Sequence, residues 1–265
     1  MNRYRAFLFG ELKESMIYRM DFILSFAADF ILIFVKLAVW MSVYKQRSMI
    51  AGFTFPMMMT YLFVSQIVSN IYTFKNDASR PIGTKIRKGT IAFDLLRPVE
   101  FTKARLFENL GQTIPIAIFG FISLVLFATI LPSISMPGCL SAGLLFILSI
   151  ACSYWIMFSV NLISGLLSFW LMNNWGLRNI RMAIISFFSG SLVPIPMLPE
   201  WMQRVCQTLP FQSIVYTPTM IYMGEYTGEV AWIQIGIQVF WAGLLWVSAR
   251  MLCRAALKKV SINGG

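Results

Sequence analysis

Histidine is absent from the 265 residues of the chain. That absence excludes His-based catalytic triads, the common zinc sites and haem ligation through imidazole. The four cysteines, Cys139, Cys152, Cys206 and Cys253, show no C-x-x-C spacing, so no redox dithiol or metal knuckle is written here. They read as small packing residues, with a disulfide between Cys139 and Cys206 as the alternative. A phosphate-cradling G-x-x-x-x-G-K-[ST] loop is missing too. The nearest string, GTKIRKGT at Gly83–Thr90, has the wrong spacing and a Thr after its second glycine, so any energy from ATP must come from another chain. Charge is scarce as well: charged residues make up 12%, and acids number 11 against 22 Lys and Arg. A soluble domain carries about twice that charged fraction.

What remains is apolar, at 58% hydrophobic residues, and it is gathered into runs. A helix needs about 20 mainly apolar residues to cross a bilayer. The runs Phe22–Tyr44, Pro56–Thr73, Thr113–Leu131, Leu140–Met172, Met182–Leu198 and Ala231–Leu252 predict six transmembrane helices. The fourth is longer than one crossing, and the fifth is short and ends in prolines. Met1–Met20 carries scattered charge without a long apolar core, so the first run is expected to be retained as a span.

The basic residues orient this array. All but Lys36, Lys45, Arg47 and Arg204 fall in the N-terminal arm, the connection after the second span, the turn after the fourth, or the tail. The positive-inside rule then puts both termini in the cytoplasm. The same topology explains the net charge of +11; it also favours contact with anionic lipid headgroups. No separate basic domain exists to bind nucleic acid, so none is expected as a partner.

Inside the runs charge is rare. Asp29 and Lys36 lie near one face of the first span, about 10 Å apart along its axis and too far for a good pair. Each is expected to meet a partner on another span, with packing between subunits and a substrate role as the two readings. Ser153, Asn161, Ser164 and Ser168 share one side of the fourth span, where small polar residues serve helix packing or line a pathway.

Two connections are unlike simple loops. Residues 75–110 mix charge with the apolar group Ile91, Phe93, Leu95 and Leu96; Gly89 and Pro98 break any continuous helix. A short amphipathic element is predicted there, either resting on the inner membrane face or docking into a partner. Residues 189–229 hold five of the eleven prolines and are too broken to cross. Glu200–Leu209 and Phe211–Gly224 are expected to form short helices. Backbone at membrane depth is tolerated only where protein or a wet cavity satisfies it, so these pieces are expected to be re-entrant on the outer side.

SGSLVPIPMLPEWMQRVCQTLPFQSIVYTPTMIYMG resembles the outer re-entrant signature of export-type ABC transporter permeases, and RKGTIAFDLLRPVEF resembles the cytoplasmic segment of one subgroup. With six spans the resemblance covers essentially the whole chain. It implies an all-α polytopic fold and a single permease domain, 1–265, in the plasma membrane of a prokaryote. An amphipathic cytoplasmic arm would occupy 1–20, where Tyr4, Leu8 and Leu12 share a side although Arg5 intrudes. The coupling segment would lie in 75–110 and the outer segment in 189–229.

The resemblance further implies separate ABC ATPase subunits and a second permease subunit, identical or a sister chain. ATP and Mg would be bound in the ATPase and no cofactor or metal by this chain, which would have no catalytic residues. The coupling residues would be Gly89, Asp94, Leu95, Leu96, Arg97 and Pro98, with Asp94 and Arg97 touching the ATPase and Leu95 and Leu96 filling its groove. The pathway or intramembrane polar set would be Asp29, Lys36, Asn161 and Ser164. The outer gate would comprise Pro194, Pro196, Pro199, Trp201, Pro210, Phe211 and Pro218. Rival readings are a secondary transporter or channel, and a scaffold or immunity protein without transport. Few intramembrane acids and no evident inverted repeat weigh against the former.

Overall fold

The computed structural model describes residues 2–17, 19–72, 77–130, 139–171 and 175–259. Thr73, Lys75, Leu131 and Met172, which bound predicted segments, lie outside them. The chain begins with α1 (Asn2–Ile17) and α2 (Arg19–Tyr44). A two-residue hairpin follows, β1 (Met49–Ile50) and β2 (Phe53–Thr54), with Met49 paired to Thr54 and Ile50 to Phe53. Its turn residues Ala51 and Gly52 both have positive φ, 47° and 84°, as a tight two-residue hairpin requires.

Next come α3 (Phe55–Tyr72), α4 (Ser79–Arg87), α5 (Ile91–Leu95), α6 (Phe101–Ile130), α7 (Leu140–Leu166) and α8 (Trp175–Phe188). After α8 a 3-10 turn at Ile195–Met197 leads to α9 (Glu200–Thr208). A second at Pro210–Ser213 leads to α10 (Tyr216–Tyr222), and α11 (Gly228–Lys259) ends the described chain. The protein is therefore an all-α polytopic membrane protein.

Four helices are long and apolar enough to cross a membrane by length and composition: Ala27–Tyr44 within α2, Phe101–Thr129 of α6, the stretch Leu140–Phe169 built on α7, and Gly228–Lys258 of α11. Two more predicted spans are present as shorter apolar helices. The 18 residues of α3 reach about 27 Å and the 14 of α8 about 21 Å. The fifth span differs most from its predicted range, Met182–Leu198. α8 starts seven residues earlier and ends at Phe188, because Gly190 turns the chain in the left-handed region (φ 81°) and Pro194 follows. Arg181, read from sequence as part of a charged turn, lies inside the helix and is neutralised there.

The helix α7 is the hub. α11 lies along it, and α3, α4 and α10 pack on its other sides. The seam of α11 reads Ala231, Ile235, Gln238, Ala242, Ala249, Cys253 and Ala256, all buried. Small residues at heptad-like spacing let two spans approach closely. A central apolar cluster joins α3, α7, α10 and α11, and a second joins α4, α5, α6, α7 and α11 at the basic end. Large apolar side chains stay exposed along α2 (Ile31, Phe34, Val35), α6 (Ile118, Ile122, Val125) and α11 (Val239, Phe240, Val247). Contiguous apolar surface of this kind suits lipid.

Candidate functional site

Residues 77–110 fold into an elbow of two short helices and the start of α6. The face of α4 carrying Ser79, Ile82 and Gly83 is buried. It lies on α7 at Gly165, where an added Cβ would stand 3.0 Å from the Ser79 Cα. Asp77 ties down its start. One carboxylate oxygen accepts hydrogen bonds from the Ser79 N–H (3.0 Å) and Oγ (2.6 Å), and the other pairs with Arg181 of α8 at 2.7 Å. The Arg181 and Asp77 side chains are 8% and 3% exposed, so this is a buried ion pair between two helices.

A turn at Gly89 (φ 71°) reverses the chain into α5, a conformation for which glycine suffers no Cβ penalty. Asp94 does not point outward. It is buried and pairs with Lys85 at 2.6 Å and with Arg105 at 3.3 Å, and Arg105 in turn pairs with Glu108 at 2.7 Å. Leu95 is half-buried against the second core cluster. The exposed tip consists of Phe93 (68%), Leu96 (78%), Arg97 and Pro98. An apolar tip thus stands on an ion-paired base. Phe93 was not among the expected contact residues, although its place beside the turn was legible.

The helix α1 braces this elbow. Its Tyr4 ring stacks on Phe107 of α6 at 5.5 Å, and the Tyr4 Oη accepts a hydrogen bond from the Glu100 N–H at 3.1 Å. Arg3 donates to the Pro98 carbonyl at 3.4 Å, and the Arg97 guanidinium lies 5.7 Å from the centroid of the Phe7 ring. Gln112 donates to Glu11 at 2.7 Å. The crossing falls on Gly111, where a Cβ would stand 2.5 Å from the Leu8 carbonyl oxygen. Glu100 collects the junction by accepting from Thr102 and pairing with Lys103 (2.8 Å) and Arg250 of α11 (3.0 Å). The Lys103 hydrogen bond above all, with Thr102 and the nearby cations, holds its carboxyl below the ordinary 4.5 against a smaller opposing effect of burial.

Residues 189–229 pack largely into protein rather than lying as a loop. Every residue of α10, including Pro218, is buried. Pro194 and Pro210 are buried, Pro196 and Phe211 half-buried, and Pro199 and Trp201 exposed. Gln203 donates to the Pro196 and Leu198 carbonyls (3.2 and 2.7 Å) and so holds the proline turn against α9. The expected helix Phe211–Gly224 is divided into a 3-10 turn and α10. Its broken backbone is satisfied by neighbours: the Ser213 carbonyl accepts from Ser153 Oγ at 2.7 Å and from Gln238 Nε2 at 2.8 Å. The Tyr216 N–H donates to the Ser189 carbonyl at 2.9 Å, and the Tyr61 hydroxyl donates to the Gly190 carbonyl. Sequence reasoning named Ser153 but missed Gln238 and Ser213. A glutamine within an apolar run was the signal available.

The remaining polar residues are dispersed. Lys36 donates to Gln66 of α3 at 2.8 Å, and Asp29 is half-buried on the same helix as Lys36. Asn161 and Ser164 are buried on α7, 2% and 5% exposed. Among the described residues, none of the four lines the cavities beside α4, α2 or α10. Cys139 is exposed and Cys206 buried, and all four cysteines are free.

A family model described as ABC-2 family transporter protein matches residues 30–264. No curated protein matches the sequence. The match runs from within α2 to the end of α11 and takes in both the elbow and residues 189–229. The chain belongs to the ABC-2 family of transporter proteins, whose members are the transmembrane components of ABC transporters.

Proposed function

We propose that this chain is the permease subunit of an ATP-driven exporter and forms the translocation pathway together with a second permease, identical or a sister chain. Both termini face the cytoplasm of a prokaryote. Separate ATPase subunits bind ATP and Mg beneath the membrane and dock on the elbow. The observation that carries this reading is the exposed tip of Phe93, Leu96, Arg97 and Pro98 on a base fixed by Asp94, Lys85 and Arg105. An apolar tip supplies desolvated contact area to a groove, and its flanking arginine sets orientation. A base held by buried ion pairs moves as one piece when the groove moves. Asp94 belongs to that base, and the contact with the ATPase passes to Phe93 and Leu96.

Closure of the ATPases on ATP displaces the elbow, and packed interfaces answer such a push by switching between discrete arrangements rather than by bending. α10 and the Pro194–Pro210 turns form the outer gate. Replacing Leu96, 78% exposed, by Asp leaves the fold intact but puts a charge at the centre of the contact. It is expected to weaken ATPase association by roughly 2 kcal/mol, about thirtyfold, and to uncouple hydrolysis from transport. The assay is co-purification of the ATPase with the permease, then cargo-stimulated hydrolysis in liposomes. Wild-type transport by a well-expressed Leu96→Asp variant refutes the assignment.

A further inference from the structure

α4 and the first turn of α8 enclose a cleft of about 570 Å³. Arg80, Thr84, Lys85, Arg87, Trp175 and Arg178 line it, and no carboxylate does. Lys85 is already paired with Asp94. Arg80, Arg87 and Arg178 form no ion pair among the described residues. The Nε of Arg178 is buried and finds no hydrogen-bond partner among them. That N–H leaves the Arg178 guanidinium with donor capacity that the described residues do not use. Three arginines lining one cleft bring the charge and the fork-shaped donors that phosphate oxygens accept from.

The surroundings select the kind of phosphate. Beyond its first turn α8 exposes Ile180, Ile184 and Phe187 along one stripe, and Trp175 at its start is 64% exposed. The cleft therefore sits where an apolar helix face gives way to a cationic one, with a tryptophan at the boundary. That is the arrangement of a headgroup level, where the indole ring is apolar and its N–H wet. Basic pockets between transmembrane helices take acidic lipid headgroups. We propose that this cleft seats the phosphate-bearing headgroup of an anionic lipid, with the acyl chains lying along the Ile180–Phe187 stripe. A soluble acidic partner would find the same charges but no use for the stripe.

The test uses the full chain in nanodiscs of phosphatidylcholine with and without phosphatidylglycerol, with retained lipid read by native mass spectrometry and stability by thermal unfolding. Each cation near a headgroup is worth about fivefold in affinity, so the triple variant Arg80→Gln, Arg87→Gln, Arg178→Gln is expected to lose about a hundredfold for phosphatidylglycerol. A charge-matched control, Lys45→Gln, Arg47→Gln, Arg204→Gln, alters three exposed cations elsewhere and is expected to bind as wild type. The variant Arg80→Lys, Arg87→Lys, Arg178→Lys keeps the charge, so its retention of lipid, together with a wild-type elution profile for the Gln variant, separates site loss from misfolding. Equal retention by the Gln variant and wild type overturns the proposal. So does stabilisation by inorganic phosphate in pure phosphatidylcholine equal to that given by phosphatidylglycerol, since the site would then take free phosphate. Loss of ATPase co-purification with lipid binding unchanged would make the cleft a protein contact and also overturn it. The lipid measurement needs no ATPase, so its failure is distinct from failure of the transport reading.

Discussion

The pair between Asp77 and Arg181 gives the sharpest quantitative test, because it joins two helices 104 positions apart in sequence and is shielded from water on both sides. Removing one partner of a buried ion pair leaves the other charge uncompensated, a loss of about 3–5 kcal/mol. Asp77→Ala also removes the acceptor of the Ser79 N–H, about 1 kcal/mol more, whereas Asp77→Asn keeps that acceptor and isolates the charge of Arg181. Arg181→Met preserves bulk and apolar packing but strands the Asp77 carboxylate on its Ser79 contacts. The double variant Asp77→Asn, Arg181→Met removes both charges, and neutral replacement of a buried pair is often harmless or stabilising. The double loss is therefore expected to be smaller than the sum of the two single losses by about 2 kcal/mol or more. Equilibrium unfolding of the four proteins in mixed detergent measures the cycle. Single losses that add to within about 0.5 kcal/mol would show that the two groups do not interact and would refute the assignment of α4's anchor to α8.

Gly111→Ala drives a Cβ to 2.5 Å from the Leu8 carbonyl and 2.8 Å from the Glu11 Cβ. Since backbone cannot move aside cheaply, α1 is expected to lift from α6 at about 1–3 kcal/mol, seen as faster proteolysis of the arm with the spans intact. Gln238→Leu removes the donor to Ser213 and Ser153 and leaves a buried carbonyl with one donor fewer, a loss of about 1–3 kcal/mol read as a lower unfolding midpoint; an unchanged midpoint contradicts the hub. The depressed carboxyl of Glu100 contributes stability at pH above its ordinary 4.5 that is lost as pH falls through its lower folded value. At a third exposure the effect is about 0.5 kcal/mol. Glu100→Gln should flatten that part of the unfolding profile between about pH 5 and 3, where carboxylates titrate, and an identical profile in wild type and variant counts against the junction.

Legibility in the sequence followed hydrophobicity closely and paired charge poorly. α2 and α3 end within a few residues of their predicted runs because nothing but apolar pattern and Pro56 decides them. α6 begins at Phe101, a dozen residues before the run Thr113–Leu131, because Lys103 and Arg105 are matched by Glu100 and Glu108 at i,i+3 and the helix continues through them. α8 likewise takes in Arg181, which meets Asp77. A single sequence shows the charges but not which of them cancel, so a charged stretch reads as a loop. The hairpin at Met49–Thr54 escaped notice for a different reason: its turn needs Ala51 at positive φ, which no composition rule foretells. In the elbow, Gly89 and Pro98 announced turns correctly, but whether Asp94 or Phe93 faced out depended on a five-residue helix whose rotation is fixed by Lys85, Arg105 and the burial of Ile91.

Those cancelled charges matter to the transport reading. The elbow tip is joined through Asp94 to Arg105 and so to α6, and through α4 and Asp77 to Arg181 on α8. At its far end α8 runs into Ser189 and Gly190, whose carbonyls accept from Tyr216 of α10 and Tyr61 of α3. A Cβ on Gly190 would stand 2.8 Å from the Tyr61 hydroxyl, so that corner has no slack. A run of polar and backbone contacts thus leads from the exposed elbow to the buried α10 by way of α8, the shortest of the helices read as spans. Buried ion pairs are weak contributors to net stability compared with apolar packing. What they do supply is a fixed register between helices, and a register is what a displacement of the elbow needs if it is to reach α10 as a movement of whole helices.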